Sequence, residues 1–236
     1  MKVSILPLLL LAQLALIWLA ASRLKKQEVL DRSDGQIINT GLLLLGLWGI
    51  AIWMIASSGV TQSDWFLASW PPFWFLAVTI LIVELPMVAF KKVKQAVYQL
   101  ISSTPLYWLT AIHIFRVLAI GSIIKSLNGE FSFYFGLIVG VPDFIFGLSA
   151  ILVTYLVYTK QVGDKFVAIW NYAGALIIMP TAIILMQLGL PGPVQIFTAT
   201  PTIATIFEFP MVLAPAVIVP LFVMANLFTA RYLRTK

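Results

Sequence analysis

Four ionisable side chains stand inside long apolar runs of this 236-residue sequence: Glu84, His113, Arg116 and Asp143. A charged group near the centre of a bilayer costs at least about 2.5–3.5 kcal/mol, so such groups persist where they pair or act. Arg116 and Asp143 have the chemistry of a bidentate ion pair, and a histidine can carry a proton near neutral pH. Two carboxylates against one arginine leave a charge that is balanced only if His113 is protonated or a carboxyl keeps its proton. The chemistry on offer is therefore proton exchange, or the binding of a small polar group. Asn171 and Asn226 add neutral hydrogen-bonding groups in two further apolar runs. These six residues are the candidate ligand or proton site. In the structural alternative, Arg116 and Asp143 fix helix registry, His113 is a hydrogen-bonded interior histidine, and the asparagines join helices.

The elements that must position these groups follow from composition. The chain is 61% hydrophobic and 10% charged, with a mean hydropathy of +1.01. Soluble domains run at about 45–50% apolar and about 25% charged, so a water-soluble enzyme, a nucleic-acid-binding module and a disordered chain are excluded. The expected fold is all-α: a seven-transmembrane helix bundle forming a single transmembrane domain over 1–236. Its spans lie at about 4–22, 37–58, 72–90, 106–127, 134–158, 167–189 and 209–230, each near the roughly 20 residues that a bilayer requires. All but three of the 15 Lys and Arg fall on one side of these spans: Arg23, Lys25, Lys26, Arg32, Lys91, Lys92, Lys94, Lys160, Lys165, Arg231, Arg234 and Lys236. Cytoplasmic connections collect such residues, so the N-terminus is expected outside and the C-terminus in the cytoplasm of a bacterial inner membrane. Cleavage of residues 1–21 as a signal peptide would leave the Arg23–Arg32 cluster outside, which favours a retained first helix.

Helical spacing sets the facing. Gly136, Gly140, Asp143, Gly147, Ala150 and Thr154 recur in steps of four and three, a small-residue stripe that lets a neighbouring backbone come close. Thr110, His113, Arg116 and Ile120 trace a broader arc, about 120° wide on an α-helix. At about 1.5 Å per residue, Arg116 and Asp143 share one depth, and Glu84 and His113 share another nearer the cytoplasm. Pro142 should free the carbonyl of Ile138 and Pro86 that of Ile82, while Pro180, Pro210, Pro215 and Pro220 interrupt the last two spans. Broken helices beside ionisable groups build midplane sites in transporters; simple kinking is the alternative.

Lys91 to Ser103 alternates Val93, Val97 and Leu100 with Lys92, Lys94, Gln95 and Gln99, the pattern of a short helix lying on headgroups. Residues 191–208 form a nearly uncharged external loop able to fold over the bundle mouth. Trp65, Trp70 and Trp74 are expected as interfacial anchors. The echo between Glu84-Leu85-Pro86-Met87-Val88 and Glu208-Phe209-Pro210-Met211-Val212 is out of register within its spans, and chance accounts for it.

Several chemistries lack their residues. The last span has no Lys for a retinal Schiff base, one His cannot form a bis-histidine haem site, and no Cys offers a thiolate. His113, Glu84 and Asp143 could hold one metal only if the fold brought them together; no metal or cofactor is assigned. Ser149 lacks a Gly-x-Ser-x-Gly elbow and is expected to bond its own helix backbone.

Residues 113–150, with Arg116, Pro142-Asp143, Gly147 and Ala150, resemble an uncharacterised group of bacterial polytopic integral membrane proteins. Trp170-Asn171 and Pro210, Pro215 and Pro220 continue the likeness to about residue 230. The group tends to show Gly-Asp where this chain has Pro142-Asp143, and a His where it has Asn226. The resemblance implies a membrane fold and no activity. Three readings stand: a proton-linked small-molecule permease or apolar-ligand-binding protein, a structural subunit with a membrane protein partner, and a membrane-embedded enzyme acting on lipid or metal. In all three the lipid bilayer is the surroundings, and no nucleic acid is involved.

Overall fold

The computed structural model describes residues 4–68 and 74–236, and every described element is helical. Two helices open the chain, α1 (Leu6–Lys26) and α2 (Arg32–Ser57). A short α3 (Asp64–Ala68), α4 (Trp74–Ala89) and α5 (Lys91–Ser103) follow. The second half consists of α6 (Leu106–Leu127), α7 (Phe133–Tyr158), α8 (Asp164–Gly189) and α9 (Ala214–Thr235). Six of these, α1, α2, α6, α7, α8 and α9, are long and apolar enough to cross a membrane. The expected third span appears as α4, with 16 residues. Its Pro71-Pro72 opening and Trp70 lie outside the described residues, as does Lys2.

Helix starts deviate from the apolar runs where capping intervenes. α2 begins five residues before its run, because the Asp31 side chain accepts from Asp34 N–H at 2.6 Å and satisfies a first-turn donor. The last span begins five residues later than expected. Glu208 is in a bend and residues 209–212 form turns, so Glu208 and Pro210 lie outside the helix, whereas Pro86 is inside α4. The sequence echo between them has no structural counterpart.

α9 is the centre of the bundle. Of its apolar window 72% is buried, against at most 44% for any other spanning helix, and α8, α4, α5 and α1 pack around it. Its opening turn is a π-helix, Ala214–Ile218, in which Val219 N–H reaches back to Ala214 C=O. Pro220 cannot donate to the carbonyl of Ala216. That carbonyl instead accepts from Thr79 Oγ1 at 2.6 Å and from Trp48 Nε1 at 3.4 Å. Gln13 Nε2 reaches the Ile218 carbonyl at 3.3 Å. The break at Pro220 is thus closed by polar side chains of α2 and α4, as a backbone away from water requires, and Gln13 adds a bond from α1 to the same turn.

The two ends of the bundle differ. At one, Ile203–Phe207 forms a 3-10 turn whose Ile203, Ile206 and Phe207 are buried. Thr61 Oγ1 donates to Phe207 C=O at 2.7 Å and Gln62 Nε2 to Ala204 C=O at 3.1 Å, so the 191–208 loop does fold over this end. Trp65, 69% exposed, stands free beside it. At the other end α5 lies across the bundle with Ala96 and Ile101 buried and Lys91, Lys92 and Lys94 exposed, as its amphipathic pattern requires. Arg231 meets Glu84 at 3.7 Å, Tyr232 OH meets Ser102 C=O at 3.4 Å, and Lys236 Nζ meets Asp164 Oδ2 at 3.0 Å. The hydrogen bond that the Lys236 ammonium donates to Asp164 holds its pKa above the ordinary lysine value. Nearly all the basic residues are therefore gathered at this end.

Candidate functional site

α6 is not uniformly α-helical. Ile112–Ala119 is wound as a 3-10 helix of eight residues, longer than the three or four usual for that form. At three residues per turn His113 and Arg116 eclipse, and Thr110 is drawn toward the same line. All three are buried, at 0%, 1% and 0% exposure for His113, Arg116 and Thr110. Ile120, the fourth member of the expected arc, is 37% exposed and lies off it. The step of three in the sequence is the period of this tighter winding.

The α7 stripe receives that line. After Phe133–Phe135 it winds as a π-helix over Gly136–Gly140, just ahead of Val141-Pro142, and Gly136, Gly140, Gly147 and Ala150 are all buried. A Cβ on Gly147 would run into the backbone of Arg116 and Val117, so only glycine allows this approach. Within it Arg116 Nε donates to Asp143 Oδ1. Three turns away, Thr154 Oγ1 bonds Thr110 Oγ1 at 3.0 Å.

The ion pair is not the bidentate fork expected. Arg116 Nη2 turns away from Asp143 and donates to Gly174 C=O on α8 at 3.1 Å, and Nη1 has no partner among the described residues. The guanidinium lies 4.1 Å from the centroid of Phe146, whose ring fills the space a Cβ on Gly174 would need. One arginine thereby joins α6, α7 and α8 through a salt bridge, a carbonyl and a ring face.

His113 lies one turn below, with Phe146, Trp170 and Phe222 at 5.9, 5.7 and 6.0 Å between centroids. Among the described residues neither ring nitrogen has a partner, and the ring forms no ion pair with a carboxylate. Asn171 and Asn226 are fully buried on α8 and α9. Asn171 Nδ2 returns to Val167 C=O at 2.9 Å, while its Oδ1 and both polar atoms of Asn226 have no partner among the described residues. The Asn171 amide therefore bonds its own helix and does not join two helices. Ser149 accepts from Trp170 Nε1 at 3.0 Å and donates to Phe146 C=O at 2.7 Å, the backbone attachment expected of it.

Glu84 is elsewhere. α4 packs on α5, α9 and α2, away from the α6–α7 seam, and the Glu84 carboxylate pairs at the bundle end with Arg231, both partly exposed. Matching depth with His113 does not make proximity. The charge imbalance that asked for an extra proton is removed, since Arg116 answers Asp143 and Arg231 answers Glu84. Glu84, His113 and Asp143 are not brought together, and among the described residues no group of three or more such side chains could hold a metal.

Sequence reasoning missed a cavity on the opposite side of α6. It has a volume of about 810 Å³ and is bounded by α1, α2, α4, α5, α6 and α9 at the basic end. Leu109, Ala111 and Ile112 present α6 to it; Val93, Val97 and Leu100 present the apolar face of α5. No charged side chain lines it. The apolar face of the 91–103 helix was the available signal, though its sequence does not say that a space lies behind it.

The described architecture is an all-helical bundle with the apolar helices of a membrane protein. The chain belongs to the family described as Domain of unknown function (DUF8737), which it matches over residues 72–234. That match takes in the ion pair, both asparagines and α5, but not α1 and α2. No curated protein and no solved structure matches the chain.

Proposed function

We propose that this protein crosses a bacterial cytoplasmic membrane seven times, N-terminus outside, and binds an apolar, lipid-like ligand in the cavity between α1, α2, α4, α5, α6 and α9. The cavity carries this reading. Its volume of about 810 Å³ is within the roughly 300–1,000 Å³ of ligand pockets. Leu44 and Phe90 line it and are exposed, so an apolar molecule can enter from the side of the bundle. A lining without charge selects apolar matter.

The topology is supported by the gathering of Lys and Arg at one end. Leu8, Leu11, Leu43, Leu47, Trp53 and Met54, each at least 50% exposed on α1 and α2, support immersion in lipid. For the seventh span, the apolar run 72–90 supplies the length that the 16 residues of α4 lack. The bacterial setting rests on the resemblance carried by Arg116, Pro142-Asp143 and the prolines of the last span. Within this reading Arg116 and Asp143 lock α6 to α7 and α8, while His113, Asn171 and Asn226 are the polar interior beside that lock. Glu84 tethers the C-terminal helix. Proton-linked transport through Asp143 is not part of this reading, since His113, Arg116 and Asp143 do not line this cavity.

The test uses the full chain purified in non-ionic detergent. Ala225→Phe and Ala20→Phe, from α9 and α1, each fill part of the cavity. Lipid retained per protein, measured by native mass spectrometry, should fall several-fold in both with the melting temperature preserved. Undiminished retention in both variants would refute the reading.

A further inference from the structure

We infer that the occupant of this cavity is a lipid with an anionic, phosphate-bearing headgroup; this rests on the apolar-ligand reading above and adds the headgroup chemistry. The inside of the cavity is uncharged, but its rim is not. Trp108 lines the cavity, and the Arg23 guanidinium lies over its ring, 5.6 Å from the centroid. A cation seated on an indole face is held at the edge of the cavity. Lys25 lies along the first turn of α2, with its Cδ 3.4 Å from where a Cβ on Gly35 would be. Ser33 and Gln36 of that turn line the cavity. On the other flank Lys94 is between Val93 and Val97, which line it, and its Nζ is 6.0 Å from the centroid of Tyr98.

None of Arg23, Lys25 and Lys94 pairs with a carboxylate among the described residues. Of the acids at this end, Glu84 pairs with Arg231 and Asp164 with Lys236. Asp31 is occupied in capping α2, Asp34 is buried, and Glu28 is exposed in the turn after α1. Three unanswered cations thus surround an uncharged cavity. Thr40, Leu44 and Phe90 both line it and are exposed, Leu44 at 44% and Phe90 at 63%, so the mouth opens through the side of the bundle.

A neutral hydrocarbon would leave this rim unused, and a free phosphate would leave the cavity unused. A phosphate-bearing lipid uses both. Its chains pass through the lateral mouth while its phosphate oxygens accept charge-assisted hydrogen bonds from Arg23, Lys25 and Lys94.

Competition between dioleoyl phosphatidylglycerol and dioleoyl phosphatidylcholine tests the inference on the full chain in non-ionic detergent. The chains are identical, so only the headgroup differs. At low salt the wild type should retain phosphatidylglycerol at least fivefold over phosphatidylcholine, and the preference should shrink in 0.5 M salt. Arg23→Gln with Lys25→Gln should reduce it to within twofold of parity with total retained lipid unchanged. Lys160→Gln with Lys165→Gln, on another loop of the same end, should leave it intact. Equal retention of the two lipids, or an equal loss of preference in the Lys160/Lys165 variant, overturns the headgroup assignment and leaves the cavity reading standing. Failure of the Ala225→Phe and Ala20→Phe variants to lower retention of either lipid overturns the cavity reading itself.

Discussion

On the side of α6 that faces α7 and α8, backbones approach until Gly147 and Gly174 are needed, and Phe146, Trp170 and the Arg116 side chain pack against one another there. On the side that faces α1, α2 and α5, the same helix borders about 810 Å³ of space. Close approach needs small residues and yields directional contacts, whereas the open side is lined by Leu, Ile and Val that would fill it only if the helices closed in. The contrast separates two roles of apolar sequence: on one face it packs protein against protein, and on the other it provides a surface for something else.

The comparison can be broken from the tight side first. Arg116→Ala leaves Asp143 without its partner, and losing one member of a buried pair costs about 3–5 kcal/mol. The expected result is a large drop in folded yield and in detergent melting temperature; a near-wild-type melting temperature would mean that the pair does not hold the seam. Gly147→Val should cost about 1–3 kcal/mol by overpacking against the α6 backbone, read from the same melting curve. Thr79→Val removes one of two donors to the Ala216 carbonyl, and about 1 kcal/mol is expected because Trp48 remains. Glu84→Gln breaks a half-exposed pair at 3.7 Å and should shift stability by less than about 1 kcal/mol. If Glu84→Gln proved as damaging as Arg116→Ala, the separation of the two carboxylates into core and surface roles would fail.

Much of the tight side was legible in the sequence, and little of the open side. The Gly136-to-Thr154 stripe and the presence of Arg116 opposite Asp143 follow from helical period and the cost of lone charge in an apolar setting. The amphipathic helix over 91–103 follows from its alternation. Three things did not follow. The bidentate fork gave way because the Gly174 carbonyl on α8 competes for Nη2, and which third helix joins a pair is not encoded locally. Glu84 was grouped with His113 on depth alone, but depth fixes one coordinate of three. The interruptions at Pro210, Pro215 and Pro220 fit either a ligand site or simple kinking, and the Ala216 carbonyl that Pro220 cannot answer is taken by Thr79 and Trp48, two side chains remote in sequence. The cavity is a property of how helices tilt, which a one-dimensional pattern does not carry.

The eight-residue tight winding in α6 has a mechanical corollary. Respooled as an ordinary α-helix, at about 1.5 Å rather than about 2.0 Å per residue, Ile112–Ala119 would shorten by about 4 Å and its two ends would counter-rotate. The hydroxyl contact at Thr110 and the ionic contact at Arg116, both anchored on α7, could not survive that turn of the screw together. Each therefore acts as a detent on the other, and the wall shared by the packed seam and the open chamber has one length at which both catches engage.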